Sequence, residues 1–166
     1  MRIQLFAMTI LMSAVQAFGQ AMGAPAPAMK NLATSADVQA LIAKARSELK
    51  PGDPYKGETI VKLAPYTVAL EYRASRVPPS IHETEAELFY VIEGSGTLTV
   101  GGKLTDEHRT NPTNLGGSSI QGGTDYSLTK GDFYFVPEGT PHLWTPVGGP
   151  LVTMSMHLAR PATAAH

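Results

Sequence analysis

Apolar and polar positions follow two regimes along this chain. Between Thr34 and Lys50, Val38, Leu41, Ile42, Ala45 and Leu49 recur at helical spacing and share one face. Thr34 or Ser35 caps the start, Asp37 suits the first turn, and Lys50-Pro51-Gly52 ends the run. The opposite face carries Lys44, Arg46, Glu48 and Lys50. The pattern predicts a surface helix within 34–52, packed on the rest of the chain or on a second subunit. After Pro54 the period shortens. Thr59–Leu63, Thr67–Arg73, Leu88–Glu93, Thr97–Val100, Tyr126–Leu128, Asp132–Val136, Leu143–Val147 and Leu151–Leu158 are short β-branched or aromatic runs. Between them stand Gly and Pro clusters such as Gly94-Ser95-Gly96, Gly101-Gly102 and Gly148-Gly149-Pro150. Strands at this spacing predict an all-β sandwich or barrel over 53–160. The stretch from Lys103 to Gly123 is polar and too long for a plain hairpin loop; it reads as a lid, a binding loop or a surface excursion.

The first thirty residues follow neither regime. Arg2 precedes an apolar run from Leu5 to Val15, and small-x-Ala patterns end it at Ala17 and Ala21. Residues 1–21 therefore read as a signal peptide, too short to span a bilayer of roughly 30 Å as a helix. No cysteine follows for lipid attachment, so no stable membrane anchor is expected, and the chain is expected to be exported to the periplasm or secreted. Residues 22–33 contain Ala24-Pro25-Ala26-Pro27-Ala28 and read as a flexible Pro/Ala spacer.

Composition narrows the function. Hydrophobic residues at 43% and charged residues at 16% of 166 support a packed domain rather than a disordered chain. Thirteen basic against fourteen acidic side chains leave a formal charge of −1, without the basic excess of a nucleic-acid binder. Zero cysteines exclude disulfides, thiolate metal sites and thiol catalysis. Neither a phosphate-cradling glycine loop ahead of a helix nor a Gly-x-Ser-x-Gly elbow is present.

Two segments carry candidate chemistry. In Ser80-Ile81-His82-Glu83-Thr84-Glu85-Ala86-Glu87-Leu88-Phe89, strand alternation sets Glu87, Phe89 and Val91 on one face, so a carboxylate points into an otherwise apolar interior. Such a group meets a cation or becomes protonated. His82, together with His142 in Gly131-Asp132-Phe133-Tyr134-Phe135-Val136-Pro137-Glu138-Gly139-Thr140-Pro141-His142, is the natural co-ligand. Two imidazoles and one carboxylate suit a divalent metal: Fe, Mn, Zn or Ni. A metal-free pocket in which the three groups hydrogen-bond one another is the other reading.

These segments resemble the two sequence motifs of the cupin superfamily. His82, Glu87 and Gly94 match the first motif from its second histidine onward, and Gly131, Pro137, Gly139 and His142 match the second. The resemblance implies a small single-domain jelly-roll barrel, the double-stranded β-helix, with a metal at its mouth, a small-molecule ligand and a homodimeric assembly. One position departs. The family's first histidine falls on Ser80, a far weaker ligand. Two functions follow: a metal-dependent oxygenase, isomerase or lyase, or a non-catalytic small-molecule binder with a degenerate metal site. Ser80, Phe89 and Trp144 are candidate pocket residues, and Glu85 or Tyr90 a candidate proton acceptor. His157, in Thr153-Met154-Ser155-Met156-His157-Leu158, shares a face with Ser155 and could complete the site, but is expected on the outer sheet face; His108 is expected at a solvated loop tip.

Overall fold

The computed structural model describes residues 30–159; the leader and most of the spacer lie outside them. Helix α1 (Ser35–Glu48) starts where a capping box forms. Thr34 Oγ1 accepts from the Asp37 amide at 3.2 Å, and Asp37 Oδ2 accepts from the Thr34 amide at 2.8 Å. Donation to that carboxylate from the Thr34 amide and hydroxyl holds the Asp37 carboxyl below its ordinary range. Thirteen strands follow: β1 (Tyr55–Leu63), β2 (Tyr66–Arg73), β3 (Ser80–His82), β4 (Glu85–Glu93), β5 (Ser95–Val100), β6 (Lys103–Thr105), β7 (His108–Asn111), β8 (Asn114–Gly116), β9 (Ser119–Gln121), β10 (Thr124–Thr129), β11 (Phe133–Val136), β12 (His142–Pro146) and β13 (Leu151–Ala159). Among the described residues no helix is long and apolar enough to cross a membrane.

The strands pair into a five-stranded sheet, β1-β2-β13-β4-β11, and a six-stranded sheet, β10-β5-β12-β3-β8-β7, with β6 and β9 as a separate ribbon. The two sheets face each other as a jelly-roll barrel. Its interior is filled by Phe89, Val91, Leu98, Val100, Val136, Trp144 and Leu151. A second apolar cluster lies outside the first sheet, where Ile42 and Ala45 of α1 pack on Ile60, Leu70, Tyr72 and Val152. The helix packs on its own barrel, over the outward side of β1, β2 and β13.

That second cluster sets the polarity of the barrel. On β2, Leu70 and Tyr72 point outward beneath the helix, while alternation turns Ala69, Glu71 and Arg73 inward. On β13, Val152 and Met154 likewise face the helix, and Thr153, Ser155 and His157 face the interior. All eight predicted strands are present. The polar stretch 103–123 differs from the expected loop: it holds β6 to β9, and β8 pairs with β3, setting Gly116 opposite Ser80 and Asn114 opposite His82. Backbone pairing makes these strands, so no hydrophobic alternation announces them; all four residues of β7 are exposed.

Candidate metal centre

The first motif runs from β3 into β4. His82 ends β3, and Glu87 sits on the inward row of β4 with Phe89 and Val91 above it. The second motif is a turn that returns the chain to β3. Gly139, at φ 67°, donates its amide to the His82 carbonyl at 2.8 Å, and three residues later His142 opens β12 directly opposite Ser80. The turn therefore delivers His142 beside His82.

Three imidazole nitrogens converge on one carboxylate. Nε2 of His82 and Nε2 of His142 lie 3.3 and 3.2 Å from Glu87 Oε2, and Nε2 of His157 lies 3.4 Å from Oε1. Glu87 and His142 are 3% and 5% exposed, so the carboxylate sits in the barrel and not in water. His142 Nδ1 donates to the Thr140 carbonyl oxygen at 3.1 Å. In the neutral ring that bond leaves Nε2 as a lone pair aimed at a carboxylate oxygen. Two acceptors face each other at this spacing only with a cation between them, a proton or a metal. Among the described residues, His82, Glu87 and His142 offer ligand atoms that all lie within 4.8 Å of one another. The donor set fits a divalent ion of the Fe, Mn, Zn or Ni kind.

His157 is a correction. From sequence, the outer sheet face is the expected place for it and the site the alternative. The helix reverses that choice by covering the methionine side, and His157 turns in opposite Glu87. Tyr90, by contrast, leaves the site: it points outward and stacks on Phe133, ring centroids 4.6 Å apart. His108 is exposed, as expected, with Nδ1 3.0 Å from the Asp106 carbonyl oxygen. Glu83 is held by Arg109 at 2.7 Å.

A cavity of about 270 Å³ adjoins these groups, bounded also by Ser80, Tyr55, Glu71, Arg73, Val77 and Pro78. Of the three pocket residues expected from sequence only Ser80 lines it; Phe89 and Trp144 belong to the packed core, fully buried and edge to face at 5.4 Å. The Arg73 guanidinium rests 5.7 Å from the centroid of each ring. It donates through Nη1 to Thr153 Oγ1 at 2.6 Å and through Nη2 to Glu71 Oε2 at 2.7 Å, and its Nε has no partner. Arg73 and Glu71 escaped sequence reasoning. On an alternating strand, polar residues read as the solvent side.

The centre makes metal-free stability depend on pH. Burial pushes the Glu87 carboxyl up, but hydrogen bonds from His142 and His82 and the charge of the imidazoles outweigh it and hold the carboxyl far below its usual range. Burial pushes His82 down, but the hydrogen bond and charge of Glu87 outweigh it, and its net shift is upward. A raised histidine contributes stability below its unfolded value of about 6.5, lost as pH rises through its folded value. A depressed carboxyl contributes above its unfolded value of about 4.3, lost as pH falls through its folded value. Both contributions coexist between those unfolded values. Thermal melts in chelator should peak near about pH 5–6 and decline above neutrality, with the alkaline decline flattened in His82→Gln. A wild-type curve flat from about pH 5 to 8 would contradict this account.

Barrel, motif turn and histidine–carboxylate cluster together define a small jelly-roll protein with a candidate metal site at its mouth. A family model described as Cupin matches residues 50–157, and the chain belongs to the cupin family. No curated protein matches the sequence. Among solved structures, hydroquinone 1,2-dioxygenase PnpCD in complex with Cd2+ and 4-hydroxybenzonitrile is similar at 17% identity. The match covers 67% of this chain and 68% of that one, with TM-score 0.52. The Schizosaccharomyces pombe Cnp3 cupin domain matches at 12% identity over 70% of this chain and 72% of that one, TM-score 0.49. An RmlC-like cupin from Shewanella frigidimarina matches at 14% identity over 67% and 81%, TM-score 0.47. At these identities the likeness concerns the fold.

Proposed function

We propose that this chain is an exported cupin that holds a divalent metal through His82, Glu87 and His142 and acts on a small organic molecule in the adjoining cavity. The observation that carries this reading is the geometry at His142: Nδ1 donates to the Thr140 carbonyl oxygen while Nε2 faces a buried carboxylate oxygen 3.2 Å away, a pair that requires a cation between them. When bound, the metal supplies Lewis acidity or, if iron, dioxygen activation; oxygenase, isomerase and lyase chemistry all fit. The cavity volume falls just under the roughly 300 Å³ at which ordinary ligand pockets begin, which favours a small substrate. The protein's own part is orientation. Ser80 presents a hydroxyl beside His142, and Arg73 and Glu71 present a donor and an acceptor on the wall. Glu85, 3.4 Å from His157 Nδ1, is the candidate proton acceptor at the rim.

Ser80 also supports a second reading, a non-catalytic carrier of the same ligand with a weakened metal site. Export to the periplasm or medium rests on the leader pattern of residues 1–21. A homodimer is supported by Phe133 and Phe135, 62% and 50% exposed on the edge strand β11.

Elemental analysis of protein purified without chelators or metal-binding tags tests the main reading, with sedimentation mass on the same sample for the dimer. Near-stoichiometric iron, manganese, nickel or zinc, with turnover dependent on one of them, favours the enzyme. A small molecule retained by metal-free protein that stays inert with every metal favours the carrier.

A further inference from the structure

We propose that His157 is a fourth protein ligand of this metal, standing in from the last strand for the imidazole that Ser80 replaces. The inference rests on the reading of the cluster as a metal centre. Its first support is position. His157 Nε2 lies 3.4 Å from Glu87 Oε1, while His82 and His142 approach the other oxygen, Oε2, at 3.3 and 3.2 Å. The His157 ring meets the His82 ring edge to face, with centroids 4.4 Å apart.

The second support is orientation. His157 Nδ1 faces Glu85 Oε2 at 3.4 Å, so the ring is set between two carboxylates. Nδ1 is buried and makes no hydrogen bond, so Glu85 stands behind the ring at ion-pair distance only, and Nε2 is the nitrogen directed at the cluster. Metal-ligating histidines commonly donate their outer N–H to a carboxylate behind the ring, and Glu85 is placed to accept it once the metal is bound. His142 meets the same requirement through the Thr140 carbonyl oxygen.

The third support is register. His157 is the residue of β13 paired directly with Glu87 of β4, and its inward direction follows from Val152 and Met154 being held against the helix-covered cluster. The backbone, and not one side-chain rotamer, brings it to the site. Each sheet then contributes two ligands: Glu87 and His157 from the first, His82 and His142 from the second. Ser80 stands opposite His142 with its hydroxyl 3.3 Å from Nε2. That side of the centre carries a hydroxyl in place of an imidazole. It opens on the wall made by Arg73, Val77 and Pro78, where a substrate can reach the metal.

Co(II) titration of the full chain, with visible d–d absorption recorded alongside the dissociation constant, tests the assignment. Losing an outer partner of a ligand weakens metal binding about 10–100-fold. His157→Ala should therefore weaken Co(II) by at least about 100-fold and alter the spectrum, and Glu85→Gln by about 10-fold. Adding Ser80→His to His157→Ala should restore most of the loss, since it returns an imidazole to the family's position. A His157→Ala variant with wild-type affinity and spectrum, alongside a His142→Ala variant that no longer binds, overturns the role of His157 and leaves the three-ligand centre standing. A wild-type chain that binds no Co(II) overturns both.

Discussion

Zinc at about a thousandfold excess over its dissociation constant should stabilise the folded chain by about 4 kcal/mol. For a domain of this size that is a rise in unfolding temperature on the order of 10 °C. The reason lies in where the ligands come from. His82, Glu87 and His142 sit on β3, β4 and β12, strands of two different sheets, and meet only when both sheets have closed. The unfolded chain has no such cluster, so metal binding and folding are coupled. His142→Ala should erase the increment. Its metal-free melting point will also be lower, because His142 is 5% exposed and its loss leaves a hole; the increment, not the baseline, is the measurement. An equal rise in the variant would place the zinc elsewhere, and no rise in wild type would remove the metal reading.

Gly94→Ala should cost about 3 kcal/mol or more and lower the unfolding temperature by on the order of 10 °C, with the metal site chemically untouched. Gly94 holds φ 81°, a left-handed conformation that β-carbons disfavour. An added methyl would also collide with the Pro150 carbonyl oxygen and stand 3.3 Å from Leu151 Cα. Leu151 is fully buried at the start of β13 and has no room to retreat. Gly148 makes the control, since it has φ 73° with nothing within 4 Å of the added carbon. There the cost should be conformational only, about 1 kcal/mol. Equal losses at the two positions in thermal or urea melts would show that close approach to β13 does not explain the motif's glycine.

The order of elements was legible before the fold. Helix α1 announced itself through period and cap, and the eight main strands through short apolar runs between glycines. His82, Glu87 and His142 were legible because motif spacing reflects hard local geometry. Gly94 ends β4 at a point where only a bare α-carbon fits, and Gly139 permits the turn that returns His142 to β3. Local rules of this kind survive in any single sequence. Strands β3 and β6 to β9 left no such trace, being three or four residues long and built by backbone pairing in a polar stretch.

Facing was not legible. A period of two sorts β2 and β13 into two rows each, but it does not say which row the barrel encloses. The apolar rows, Leu70 and Tyr72 with Val152 and Met154, read as interior by hydrophobicity alone. They face outward because α1 supplies a second apolar surface on that side, with Ile42 and Ala45 closing over them. The polar rows are thereby turned into the barrel, and Glu71, Arg73 and His157 become walls of the cavity beside the candidate metal site. The order of the main strands, the helix and three candidate ligands were written in local spacing. The remaining walls of the site, His157 among them, depended on a contact between the N-terminal helix and strands far from it in sequence, and no periodicity within a single strand encodes that.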